Sequence, residues 1–241
     1  MYDIHCHILP GIDDGSGSIV DSVEMAMIAA ESGVKGIIAT PHCNIPGMYD
    51  NVWSSEFDSG IEKLNYELQK RKISITIYPG QEVFAWGDII DRLKKGELIT
   101  LNSSCYVLVE FDFGTPEHTA YQTVRQLVAE GYKPIVAHPE RYGFAYENPD
   151  SIKKLQMSGA LIQLNGDSII GKLGYRPMQV SKFILTDRMA DFVASDAHSQ
   201  YSRTPDMSGA HEIVCSYFSY DYADKIFNDN PLKVINNKEI R

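Results

Sequence analysis

Residues 2–39 read YDIHCHILPGIDDGSGSIVDSVEMAMIAAESGVKGIIA. Tyr2–His5 is a short β-rich segment, Ile19–Ser32 carries a helical pattern, and Gly36–Ala39 is a second β-rich segment. Within the helical pattern Val20, Val23, Met27 and Ala30 recur at helical spacing, and Gly33 supplies the stop. Strand, helix and strand in that order make a βαβ unit, which belongs to a parallel sheet. The alternation continues. Further strands are expected at Ile73–Tyr78, Tyr106–Glu110, Lys133–Ala137, Ala160–Leu164 and Asp191–Ala194, and helices at Glu56–Arg71, Thr119–Glu130 and Pro177–Arg188. Seven strands in this rhythm predict an α/β fold with a closed or nearly closed barrel. An open, doubly wound sheet is the competing arrangement. No linker, low-complexity stretch or repeat interrupts residues 1–241, so one domain is expected.

Composition narrows the function. The 241 residues are 44% hydrophobic and 22% charged, enough for a sizeable core and unlike a disordered, collagen-like or coiled-coil chain. Lys plus Arg total 22 against 32 for Asp plus Glu, a formal charge of −10 that weighs against nucleic acid as a partner. No apolar run approaches the ~20 residues that span a bilayer. Asp3, His5 and His7 interrupt any N-terminal targeting pattern, so a cytoplasmic protein with its mature start at Met1 is expected. The four cysteines, Cys6, Cys43, Cys105 and Cys215, form no C-x-x-C pair. The residues six positions beyond them are Ile12, Tyr49, Phe111 and Asp221, so the C-x5-R loop of cysteine-dependent phosphatases is missing.

The chemistry collects at strand ends. Of seven histidines, His5, His7, His42, His138 and His198 fall at or just past the C-terminal ends of expected strands. Carboxylates recur there: Asp14, Glu82, Glu110 and Asp196. In a barrel these ends share one rim. Four carboxylates and five imidazoles cannot share a small volume without a compensating positive charge. Divalent cations supply it, and nitrogen-plus-oxygen donors without thiolate suit manganese, iron, zinc or nickel. Nine donors exceed the demand of one ion, which implies two or three. Taken singly, a His-x-His pair or a carboxylate ending a strand is commonly a hydrogen-bonded or solvated group; the shared position is what joins them. His118 and His211 fall in or near helices and read as packing or surface residues. Arg141 and Arg203 lie on loops of the same rim, where a planar guanidinium can grip two phosphate oxygens or pair with a local acid. Cys43–Phe57 reads as a long loop, either a surface excursion or an aromatic lid beside the site.

The motifs Asp3-Ile4-His5-Cys6-His7-Ile8-Leu9-Pro10, Asp13-Asp14-Gly15, Ala39-Thr40-Pro41-His42, Gly80-Gln81-Glu82, Glu110-Phe111, Ala137-His138-Pro139-Glu140-Arg141 and Ala194-Ser195-Asp196-Ala197-His198 run through the chain in this order. Together they resemble the polymerase-and-histidinol-phosphatase (PHP) superfamily, and within it the bacterial tyrosine phosphatases of capsule and exopolysaccharide loci, the CpsB/CapC type. The resemblance implies a distorted (β/α)7 barrel and a three-metal, manganese-dependent centre. It assigns His5, His7, Glu82 and Asp196 to one ion. Glu82 would bridge to a second ion with Glu110 and His138, and Asp14, His42 and His198 would hold a third. It assigns phosphate binding to Arg141 and Arg203. The implied substrate is the phosphotyrosine tail of a bacterial tyrosine kinase, which would recruit the enzyme to the inner membrane face. Tyr49, Trp53, Phe84, Trp86 and Tyr142 would be aromatic neighbours of that tail. Asp14 and Glu110 stand where many superfamily members carry histidine, which leans away from the alternative, a small-molecule phosphomonoesterase such as histidinol phosphatase.

Overall fold

A computed structural model describes residues 1–240. The strands are β1 (Tyr2–Cys6), β2 (Gly36–Ala39), β3 (His42–Cys43), β4 (Thr76–Pro79), β5 (Glu82–Phe84), β6 (Tyr106–Glu110), β7 (Lys133–Ala137), β8 (Leu161–Asn165) and β9 (Phe192–Ala194). They pair in parallel, as β1-β2-β4 and as β3-β5-β6-β7-β8-β9. β2 and β3 are two pieces of one strand, separated by Thr40-Pro41, where proline has no N–H for a ladder. β4 and β5 are likewise split at Gly80-Gln81. A Cβ on Gly80 would lie 2.6 Å from the Ile38 side chain, so the strands approach there as only glycine allows. Counting each split strand once leaves seven positions in sequence order around a ring. The seam between last and first is no regular ladder. It is an isolated parallel bridge of Cys6 with Ala197, with His7 N donating to Ala197 O at 2.9 Å and Asp196 N to His5 O at 2.8 Å. The fold is therefore a distorted (β/α)7 barrel. Sequential strand order excludes the doubly wound sheet, which needs a reversal of order.

Both faces of the strands are buried, and period-two alternation sorts them. Ile4, Ile38, Tyr106, Leu108, Ile135, Ala137, Leu161 and Phe192 fill the barrel interior. Val107, Val109, Val136, Ile162 and Val193 pack outward against the helices. The same register carries inward polar residues at the top: Glu110 follows Tyr106 and Leu108, and Gln163 follows Leu161. In β1 the register shifts between Asp3 and Cys6. This irregularity lets Ile4 join the interior while the adjacent His5 turns into the site, a device common beside active sites. The helix Asn230–Ile235 plugs the opposite end, with Val234 in the interior cluster and Asn102 Nδ2 donating to Ile235 O at 2.9 Å.

The first helix runs Ile19–Glu31, and the Ser18 side chain caps it by accepting from Asp21 N. Its buried face is Ser22, Val23, Met25, Ala26 and Ala29, whereas Val20 and Met27 are 54% and 44% exposed. The expected stripe is thus out of phase. Ser22 belongs to the inner face because its hydroxyl bonds Ser16 and Ser18, and large residues drew the pattern away from small ones. The expected strand Ile73–Tyr78 begins only at Thr76, because Ile73 N is spent on Leu68 O at the preceding helix end. The segment Cys43–Phe57 is loop only in part: Cys43 ends β3, and a helix occupies Ser55–Lys70. Its loop is braced. Asn44 donates to Phe84 O and Trp86 O, Asn51 to Ile12 O and His42 O, and Arg92 pairs with Asp50 at 2.9 Å.

Candidate metal centre

The loop after β1 folds back on itself. Ser16 N donates to His7 O at 3.0 Å, and a Cβ on Gly15 would stand 2.2 Å from that same oxygen. This close turn delivers Asp13 and Asp14. Asp13 accepts from His42 N at 2.8 Å and Gly15 N at 2.9 Å, and bonds His7 Nδ1 at 2.7 Å. His7 Nε2 is thereby aimed at the barrel axis, 3.3 Å from His5 Nε2. Gln163 plays the same part for His5, its Oε1 2.9 Å from His5 Nδ1.

Glu82 stands at the centre. Its Oε1 lies 3.1 Å from His5 Nε2 and 3.2 Å from His138 Nε2, and its Oε2 lies 2.9 Å from His42 Nδ1 and 3.4 Å from His7 Nε2. Glu110 reaches His138 at 3.5 Å and His42 at 3.6 Å. Asp14, half exposed at the mouth, lies 3.6 Å from both His42 Nε2 and His198 Nε2. Asp196 divides its oxygens. Oδ1 faces His5 at 3.4 Å and His7 at 3.5 Å, and Oδ2 takes Asn165 at 2.7 Å, Arg141 at 3.2 Å and Arg203 at 2.6 Å. All nine donors singled out by sequence, with Arg141 and Arg203, therefore meet at one rim. Three of these residues, His138, Asp196 and Arg203, hold positive φ of 34°, 53° and 49°. Such backbone costs about 1–3 kcal/mol per residue and recurs where geometry serves a site.

Electrostatics test whether cations fit here. Burial, then the charges of Glu82 and Asp196, pushes Glu110 to about 9. Burial and the charge of His7 drive His198 down to about 2. Burial opposes charge on His5, but Glu82 and Asp196 raise it above its usual value. Protons thus stand in for missing positive charge: the carboxylates cannot all ionise on their own. Several buried atoms lack an aligned hydrogen bond: His42 Nδ1 and Glu82 Oε2 stand 2.9 Å apart but out of line for one, and His198 Nε2 has no hydrogen-bond partner. Three sets of ligand atoms each lie within 4.8 Å of one another: His5, His7 and Asp196; His42, Glu82 and Glu110; and His7, Asp14, His42 and His198. Orphaned donors, excess carboxylate and imidazole-rich sets all fit divalent metal.

The supports carry weaker marks in the sequence. Asp13 stands beside Asp14 with nothing in its spacing to assign it a role. Gln163 and Asn165 were legible as polar residues in an otherwise apolar strand. Asp3 accepts from Ser195 N at 3.0 Å and His5 N at 3.2 Å, tying first strand to last. The aromatic neighbours are corrected too. Tyr142 is fully buried, with its hydroxyl donating to Ala137 O at 2.9 Å, and Trp53 stacks on Phe57 at 4.8 Å. Tyr49 does reach the site, stacked on His42 at 5.9 Å. Phe113, unnoticed in the sequence, lies beside His138 and Arg141.

A parallel barrel whose strand ends converge imidazoles and carboxylates on one rim is the build of metal-dependent barrel hydrolases. The family model described as capsular polysaccharide synthesis, CpsB/CapC, matches residues 1–236, and the chain belongs to that family. The tyrosine-protein phosphatase YwqE of Bacillus subtilis is 39% identical over 203 residues, covering 84% of this chain and 79% of the relative. The tyrosine-protein phosphatase CpsB of Streptococcus agalactiae is 27% identical over 245 residues, covering both chains fully at 100%. A crystal structure from work on YwqE of Bacillus subtilis and CpsB of Streptococcus pneumoniae, described as unique metal-dependent tyrosine phosphatases, matches with TM-score 0.93 at 35% identity. That match covers 100% of this chain and 96% of the other. The histidinol phosphate phosphatase of Lactococcus lactis shares the fold, with TM-score 0.60 at 16% identity over 94% of each chain.

Proposed function

We propose that this chain, residues 1–241 acting as one PHP-type domain, is a metal-dependent protein-tyrosine phosphatase. Its substrate is phosphotyrosine on a bacterial tyrosine kinase, and through that kinase it regulates capsular or exopolysaccharide synthesis. It works in the cytoplasm, drawn to the inner membrane face by the kinase. Among the described residues no helix is long and apolar enough to cross a membrane. The observation that carries the reading is the sharing of Glu82 among four imidazoles, in a chain that matches metal-dependent tyrosine phosphatases along its length.

In this reading His5, His7, Glu82 and Asp196 hold a first ion. Glu82, Glu110 and His138 hold a second, and Asp14, His42 and His198 a third. Manganese suits these nitrogen and oxygen donors, as do iron and zinc. Bound divalent ions supply an activated water nucleophile and charge stabilisation for the phosphoryl oxygens. The chain supplies the rest. Asp13 and Gln163 fix the tautomers and directions of His7 and His5. Arg141 and Arg203, gathered by Asp196, orient the phosphate. Neither Cys6 nor Cys43, the thiols of the strands that carry the site, serves as nucleophile: both are fully buried, and burial pushes both thiols well up. The leaving phenolate, with a conjugate acid of pKa ~10, needs little proton donation.

The test is a comparison of kcat/KM for a phosphotyrosyl peptide and for histidinol phosphate, with the metal-loaded protein. The peptide is expected to win by about 10²-fold or more, a difference of ~2.7 kcal/mol in transition-state binding. A comparable advantage for histidinol phosphate would replace this reading with the small-molecule one.

A further inference from the structure

Phe113 is 44% exposed, yet its loop is held firmly. Gly143 N donates to Phe113 O at 2.8 Å, and Phe111 N donates to the Tyr142 hydroxyl at 3.1 Å. The ring crowns a buried aromatic group: it lies 6.1 Å from Tyr142, which meets Phe111 edge-on at 6.0 Å. It also stands 6.0 Å from the His138 ring and 4.6 Å from the Arg141 guanidinium carbon. One part of this ring packs on Tyr142, His138 and Arg141, while the rest stays open to solvent at the imidazole-and-carboxylate rim.

The contact with Arg141 shows what it is placed to do. The guanidinium carbon of Arg141 lies over the Phe113 ring, and a guanidinium takes anions through its N–H groups. One edge N–H already reaches Asp196 at 3.2 Å. A phosphate gripped by the remaining Arg141 N–H groups would lie within reach of the Phe113 ring, and so would the group on its ester oxygen. In phosphotyrosine the substituent on that oxygen is a flat ring, able to stack or meet Phe113 edge-on. In phosphoserine the peptide backbone would arrive there instead. We propose that Phe113 is a specificity-determining residue that receives the aryl ring of the phosphoester while Arg141 grips its phosphate. This rests on the phosphatase reading above and adds the residue that selects the aryl group.

The alternative is that Phe113 only holds Arg141 in place, and inorganic phosphate separates the two, since it has no ring. With metal-loaded full-length protein, Phe113→Ala is expected to raise KM for a phosphotyrosyl peptide about tenfold, the scale of one aromatic pair. Inhibition by inorganic phosphate should weaken less than about threefold, and Phe113→Tyr should bring KM back to within about twofold of wild type. Phe113→Leu, which keeps bulk without a π face, should fall between. An unchanged KM in Phe113→Ala, a parallel weakening of phosphate inhibition, or failure of Phe113→Tyr to restore KM would each overturn the proposal. Wild type that leaves the phosphotyrosyl peptide intact while cleaving other phosphoesters would refute the tyrosine-phosphatase reading, and this proposal with it.

Discussion

His42→Ala and His198→Ala are each expected to lower turnover about 10³-fold or more, ~4 kcal/mol of transition-state stabilisation, while leaving the barrel folded. Both side chains serve the rim. His42 contacts Glu82 through Nδ1 and Asp14 through Nε2, and it enters neither hydrophobic cluster. The bond that seats the short strand β3 uses the His42 backbone N–H to Asp13, which alanine keeps. His198 lies against His7 with ring centroids 3.9 Å apart, and its backbone N–H to Arg203 O at 2.9 Å likewise survives substitution. Alanine therefore deletes one donor from a set of four that includes Asp14 and His7. Initial rates on an aryl phosphate, with circular dichroism melting as the control for folding, check this. Near-normal rates in both variants would refute the assignment of Asp14, His42 and His198 to one ion.

Stripping the metal is expected to remove activity almost entirely and to lower the melting temperature. The two effects share a cause. Glu82, Glu110 and Asp196 are gathered around fully buried imidazoles, and without cations the cluster must hold protons, as the rise of Glu110 to about 9 indicates. Ions that bind only the folded state stabilise it by mass action, about 3–4 kcal/mol at 10²–10³ times their dissociation constant. Activity and melting curves before chelator, after it, and after return of manganese measure both effects. Full activity in chelator, at concentrations that hold free metal far below the dissociation constant, would contradict the account.

Much of this was legible in the sequence, for identifiable reasons. Tyr106–Glu110 and Lys133–Ala137 were delimited correctly because strands buried on both faces are continuous apolar runs. Most donors were legible because they lie at or a few residues past the end of such a run, whereas Asp14 sits in the loop after β1 and stands out only through its motif Asp13-Asp14-Gly15. The pieces that escaped depend on tertiary pairing. β3 and β5 are two and three residues long and show no period of their own. The phase of the Ile19–Glu31 helix turns on Ser22, a polar residue buried because Ser16 and Ser18 receive it. Gln163 orients His5 across 158 residues of chain, and the irregularity in β1 that turns His5 inward has no mark in composition. Tyr142, expected beside the substrate, is buried, and Phe113, for which the sequence carries no expectation, is open, because the loops after β6 and β7 bond each other through Phe111, Phe113 and Gly143.

The most direct measurement is anomalous scattering at the manganese edge from crystals of the metal-loaded protein. Two or three peaks are expected within one small volume, each at about 2.0–2.2 Å from nitrogen or oxygen donors. Glu82 should contact two of them, and one should sit between Asp14, His42 and His198. Peaks located away from His7 and Glu82, or a fully active crystal form with no peak at this rim, would contradict the claim that these scattered residues build one metal centre.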